Sequence, residues 1–361
     1  MKDPFYAPMG EIREQKVWKS GTSYVTPIPP LWVERNLKRK NIGKSSLPVY
    51  AANLDENTMI LSISETPLEE ELQSYESKED DHPLDLTAYV YGAYMKGERG
   101  VYVTIPLNHV NTLNALNAMP SKLIGIDLQE QNAEKTYLKF NDDEKPEIKE
   151  RLSSAYNRIN EMYESNKKAL DKFPDEKELL KNQCLVDRGE NWLDKMSFYM
   201  KRLFNRSLFD MKLFNELDIG TRQNILYYDS IVSNTERIGD LHKEISMTIK
   251  RLSDIQKKEK DKLDLAPMSE YLTASHTIVT TAFDLLGDKI KKTPKIDAEL
   301  IDELGIEYIP GLYEKNKAEN MVQYVSEGKK YARLLSILQS RIWGLKGNAS
   351  NIIEAKLNMR K

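Results

Sequence analysis

Sulfur ligands are almost absent from this sequence: Cys184 is the single cysteine among 361 residues. That excludes an intramolecular disulfide framework and any zinc cage built on cysteine, and it fits a reducing compartment. Long apolar runs are missing as well. None approaches the roughly 20 residues that a membrane-spanning helix needs. The opening MKDPFYAPMGEIREQ lacks the apolar centre of a signal peptide, so a cytoplasmic protein without membrane insertion is expected. Histidine is sparse and scattered, at 82, 109, 242 and 276. No Ser-His-Asp arrangement, Walker loop or dinucleotide glycine fingerprint occurs. A carboxylate-bridged di-metal enzyme would need Glu-x-x-His sets facing a bundle core, and these are missing too. An enzyme is not expected.

Net charge is also nearly absent, -3 in total, but it is unevenly laid out. From Glu11 to Lys44 eight Lys/Arg stand against three Glu, whereas Glu65 to Asp85 carries nine acidic residues against one Lys. The first stretch reads as a basic head, and the second, without apolar period, as an exposed acidic linker. A chain this long predicts more than one domain, and its 30% charged and 40% hydrophobic composition suits long helices striped with solvent-facing residues.

Residues 12–64 read as strand, strand, helix, strand, strand: Ser20-Gly21 supplies the first turn, Pro29-Pro30 can open the helix, and Asp55-Glu56-Asn57 turns into the apolar strand Met59 to Ile63. Residues 86–141 read as a small α/β unit: helix, strand, helix, then a hairpin turning near Asn132-Ala133. From 142 the period becomes helical. Ile148, Leu152, Ala155, Ile159, Met162 and Ala169 mark one long helix closing near Phe173-Pro174, with a second over 175–208 and a third starting near Thr221. Short loops between them predict an antiparallel bundle over 142–262. Residues 263–361 repeat the helical pattern: a helix over 266–292, then another over about 313–359.

Two Glu-x-x-x-Asp pairs stand out, Glu190 with Asp194 in GENWLDKM and Glu236 with Asp240 in TERIGDLH. Residues four apart share a helix face, so each pair is a ledge of two carboxylates. By pattern alone such pairs read as solvated charge neutralised by Arg237 and Lys195. If the second and third helices lie side by side, they read instead as a set of oxygen donors for a hard or borderline cation such as Mg, Mn, Ca, Fe or Zn.

QKVWKSGTSYVTPIPPLWVERNLK resembles the SpoVT/AbrB-type DNA-binding domain, with its basic strand, glycine turn, apolar strand ending in Pro and short helix bearing Arg. The resemblance implies a homodimer whose strands interleave into one barrel, with DNA contacted through Lys16, Lys19, Ser20 and Arg35. Charge alone adds Lys38, Arg39 and Lys40. NTERIGDLHKEI together with LVDRGENWLDKMSFYMKRL resembles the PhoU family of phosphate-signalling proteins. That resemblance implies tandem antiparallel three-helix bundles and a cation held by Glu190, Asp194, Glu236 and Asp240, with Asp187 and Glu244 as auxiliary ligands. It also implies association with a phosphate transporter or sensor kinase. A second copy of the motif, SRIWGLKGNASNIIE at 340–354, places Ser340 and Gly344 at the acidic positions, so metal is expected on the first bundle only.

The domain order is similar to that of archaeal phosphate-uptake regulators. The expected class is α+β: an AbrB-like swapped-strand barrel over 1–64, an acidic linker over 65–85, the α/β unit over 86–141, and two PhoU-like bundles. The function this implies is regulation of phosphate uptake by a DNA-associated, metal- or partner-sensing protein. The alternative is an adaptor whose head only dimerises.

Overall fold

The computed structural model describes the backbone of residues 18–20, 23–25, 50–53 and 59–62, and residues 73–78, 81–141, 147–208, 210–259, 263–287 and 331–359. The chain divides into two compact units, 1–69 and 70–361. In the first, β1 (Trp18–Ser20) pairs antiparallel with β2 (Ser23–Val25), placing Lys19 opposite Tyr24 and Ser20 opposite Ser23. A second antiparallel pair joins β3 (Tyr50–Asn53) to β4 (Met59–Ser62). The helix expected after Pro30 lies outside the described residues.

The second unit is mostly helical, with one four-stranded mixed sheet, in keeping with an α+β chain. Its elements begin with β5 (Gln73–Glu76), α1 (Pro83–Lys96), β6 (Gly100–Thr104), α2 (Val110–Lys122), β7 (Ile126–Glu130) and β8 (Lys135–Phe140). The strands lie in the order β5-β6-β8-β7, with β5 parallel to β6 and the other pairs antiparallel. Alternation sorts the faces. Val101, Val103, Leu138 and Phe140 are buried with Leu86, Val90 and Tyr94 of α1 and Leu116 and Met119 of α2.

β5 lies inside the segment expected to be a linker. Its pairing with β6 recruits backbone groups that the acidic side chains do not advertise, and Tyr75 supplies its inward-facing residue. Helix α1 also begins within that segment. Pro83 needs no amide donor in the first turn, the Leu84 N–H donates to His82 Nδ1 at 3.2 Å, and the His82 N–H donates to Asp85 Oδ2 at 2.8 Å.

Among the described residues five long or medium helices follow: α3 (Ile148–Asp171), α4 (Glu176–Ser207), α6 (Gln223–Glu259), α7 (Ala266–Leu286) and α8 (Ala332–Asn358), with the short α5 (Met211–Glu216) between α4 and α6. The first three run antiparallel in sequence order. The Asp175 carboxylate caps α4 by accepting from the N–H groups of Lys177 and Glu178. Helices α7 and α8, which the sequence assigns to a separate second bundle, join the same core: α7 packs on α3, and α8 on α6 and α7. Helix α6 therefore touches α3, α4 and α8 at once, and residues on several of its sides are buried, including Ile231, Val232, Thr235, Ile238, Leu241, His242 and Ile245. Among the described residues no helix is long and apolar enough to cross a membrane.

Arg202 of α4 ties the small sheet to the helices. Its side chain is fully buried, and the guanidinium donates to the carbonyls of Tyr94 at 3.1 Å, Glu98 at 2.6 Å and Phe140 at 3.5 Å, with the rings of Tyr94 and Phe140 beside it. Burial pushes its pKa down to about 10, against the opposing pull of Tyr94, Tyr199 and Glu98. A cation here also faces the carbonyl end of α1. Gly97 closes that end at φ 89°, and a Cβ on it would lie 2.2 Å from Arg206 Cγ. Gly97→Ala is expected to lower unfolding free energy by about 2 kcal/mol, from left-handed strain plus overpacking, as read by urea titration.

Candidate cation site between two helices

The acidic ledges meet where Gly239 lets α6 approach α4, and a second glycine, Gly189, lets α4 approach α3. Gly239, beside Asp240, faces Leu193, beside Asp194; a Cβ there would sit 2.5 Å from Leu193 Cδ1. Gly189, beside Glu190, gives the same room to Met162 of α3, whose Sδ would be 2.6 Å from an added Cβ. With α4 and α6 this close, one carboxylate oxygen each from Glu190, Asp194 and Asp240 lie within 4.8 Å of one another.

Glu190 is the innermost of the three, 7% exposed, while Asp194 and Asp240 are half-buried. Its Oε1 accepts from Lys243 Nζ at 2.7 Å, and its Oε2 is buried without a hydrogen-bond partner among the described residues. Asp240 Oδ2 accepts from Arg237 Nη1 at 3.0 Å. Burial, reinforced by Glu190, Glu236 and Asp240 and partly offset by Lys243, pushes the Asp194 carboxyl up to about 7. Burial and then Asp240 raise Glu236 as well, against Lys201 and Arg237. Two helices thus deliver more negative charge than the half-buried space holds cheaply, and a proton or a cation relieves it.

Glu236, the fourth expected ligand, stands beside this group without joining the three converging oxygens. The two auxiliary candidates border the group without adding an oxygen to the converging three. Asp187 is exposed, with its carbonyl taking the Asn191 side-chain amide at 2.7 Å. Glu244 Oε1 is 3.5 Å from Arg237 Nη1, and its other oxygen meets Arg341 of α8. Of the expected DNA-contacting residues, Lys19 and Ser20 lie on β1. Lys16, Arg35, Lys38, Arg39 and Lys40 fall outside the described residues.

Sequence reasoning passed over Lys243 and the two glycines, although all three stand within or beside the quoted motifs. Three positions after Asp240 on a helix is a neighbouring position, and a glycine beside each acidic pair signals close approach. His242, next to Lys243, faces the other way. It is fully buried, with Nδ1 3.2 Å from Asn166 Nδ2, and its carbonyl accepts from the same amide at 2.9 Å. Asn182 donates to Asn166 Oδ1 at 3.1 Å and to Ser246 Oγ at 2.8 Å, so a polar layer crosses α3, α4 and α6 one to two turns from the carboxylates. His276 of α7 stacks on Tyr163 at 3.7 Å. Burial, with His276 nearby, pushes His242 down to about 3, and burial pushes His276 down to about 4.

Three carboxylates without thiolate or imidazole suit a hard cation, and the bare buried oxygen of Glu190 fits a ligand position. Comparison with protein-family models, curated proteins and solved structures finds no match to this chain.

Proposed function

We propose that this chain is a cation-responsive, DNA-associated regulator of phosphate uptake that works as a cytoplasmic homodimer. The observation that carries the reading is the convergence of Glu190, Asp194 and Asp240 from two helices, at the spacing that resembles the PhoU motif. In this reading the hairpins β1-β2 and β3-β4 belong to an AbrB-like barrel formed with a second copy, and Lys16, Lys19, Ser20, Arg35, Lys38, Arg39 and Lys40 contact DNA. The helices act as PhoU-like elements that take up Mg, Mn, Fe or Zn. Cation binding to the helices then shifts the paired heads between arrangements of different DNA affinity, by reciprocal linkage.

The test pairs Mn2+ binding, followed by electron paramagnetic resonance, with gel shifts at about 50 mM salt and above. The full chain is expected to bind Mn2+ and an Asp194→Ala/Asp240→Ala variant to lose it. DNA affinity should fall steeply with salt and respond to Mn2+ only in the unsubstituted protein. Equal Mn2+ uptake by the two would remove the cation site, and no shift at the lowest salt would remove DNA binding. Intact Mn2+ binding without a shift would favour an adaptor that dimerises through its head and docks on a phosphate transporter or sensor kinase.

A further inference from the structure

The carboxylate site comes with its own positive charges. Helix α6 places Arg237 three residues before Asp240 and Lys243 three residues after it, so both basic side chains reach back to acids on the same patch. They are held differently. Arg237 is shared by Asp240 and Glu244, and Glu244 is held in turn by Arg341 of α8, so the guanidinium is fastened from two sides. Lys243 makes its close ion pair with Glu190, at 2.7 Å, while Asp187 and Asp194 attract its charge from farther off, and 35% of its side chain is open to solvent. A Lys side chain is a compact charge on a four-carbon stem that turns freely, with a short way out to water.

The ammonium sits on the same carboxylate that a metal ion needs. Glu190 is the deepest of the three converging carboxylates, and its oxygen pair is split between Lys243 and a buried position with no donor. A cation bridging Glu190 to Asp194 and Asp240 must sit within coordination distance of the carboxylate that the ammonium now neutralises. The two positive charges cannot share it without strong repulsion in a half-buried setting.

We infer that Lys243 is a tethered counter-ion that competes with the cation for Glu190, so that a divalent ion enters only by displacing the lysine into solvent. This rests on the cation reading above and adds its regulation and its selectivity. A monovalent ion such as Na+ or K+ carries no more charge than the ammonium and lacks its tether, so it is shut out. A divalent ion brings twice the charge and wins the carboxylates. Until it arrives, the lysine keeps Glu190 from being buried as a bare anion.

The experiment compares Mn2+ titrations of the full-length protein with Lys243→Met, which keeps the stem and removes the charge, and Lys243→Arg, which keeps the charge. Far-ultraviolet circular dichroism and thermal melts confirm folding, and Lys243→Gln serves if the Met variant does not fold. Lys243→Met is expected to bind Mn2+ about tenfold tighter or more, with Lys243→Arg within about threefold of the unsubstituted chain, tenfold corresponding to about 1.4 kcal/mol. The Met variant should also gain more thermal stability from Na+ or K+ than the unsubstituted protein does. Binding by Lys243→Met alone would equally support the tether, as a site the lysine closes fully. Unchanged or weaker Mn2+ binding in Lys243→Met, with the unsubstituted protein still binding, would overturn the tether and leave the cation site standing. No binding by either protein would remove both.

Discussion

Arg202→Met is expected to destabilise the protein by about 3–5 kcal/mol, the largest effect of any single substitution considered for this chain. The loss comes from the carbonyls of Phe140 and of half-buried Glu98, which lose this donor, and from that of Tyr94, which keeps only the Gly97 N–H at 3.0 Å. Each costs about 1–3 kcal/mol when unsatisfied, and the methionine stem returns part of this by filling volume. Arg202→Lys should recover only a fraction, because one ammonium does not span acceptors on α1, the turn after it and β8 as a planar fork does. Urea unfolding gives the free energy. Limited proteolysis adds location, since cleavage within 83–141 should appear first. A loss below about 1 kcal/mol would show that the joint is held by the surrounding rings alone.

Asp194→Asn should do the opposite to stability while abolishing the Mn2+ response. The carboxyl titrates near 7 in the folded chain against an ordinary 3.8, so the folded state holds this proton more tightly than the unfolded state does. Between those two values folding takes up a proton, and stability falls as pH rises. Below 3.8 the penalty is absent, and above 7 it is present in full. The amide has no such titration. Melting curves of the two proteins should therefore coincide near pH 4 and separate by about 1–2 kcal/mol at pH 8, a figure reduced for the half-exposed position. Added Mn2+ should stabilise the unsubstituted protein at pH 8 and leave the variant unchanged. Parallel curves at every pH would show that Asp194 ionises without cost.

The long helices were legible because their period was. Ile148, Leu152, Ala155, Ile159 and Met162 of α3 are all buried, as are Ile225, Tyr228, Val232, Ile238, Leu241, Ile245, Ile249 and Leu252 of α6. Leu185 of α4, an apolar residue four before Gly189, is only half-buried, since that turn faces the α3–α4 groove rather than the core. Periodicity says which side of a helix is wet but not which helices share a core, so the joining of α7 and α8 to α3 and α6 was not readable. Nor was β5, whose signal is a backbone pairing beneath a run of acids.

The site divides along the same line. The two i, i+4 pairs are properties of single helices and stood in the sequence. That Glu190, Asp194 and Asp240 converge while Glu236 stands beside them depends on how α4 and α6 are rotated against each other. Asn166, Asn182 and His242 were passed over because polar residues at interior positions read as solvent-facing until their partners are known.

Those partners carry a consequence for the carboxylates. Sliding α6 along α4 by one turn, about 5.4 Å, would leave an apolar helix face still buried and would cost the aliphatic seam little. It would strand the amides of Asn166 and Asn182, each at about 1–3 kcal/mol, against aliphatic neighbours. The polar layer thus acts as a ratchet tooth, admitting one sliding position, and that position is the one in which oxygens from opposite helices come close enough to share a single ion.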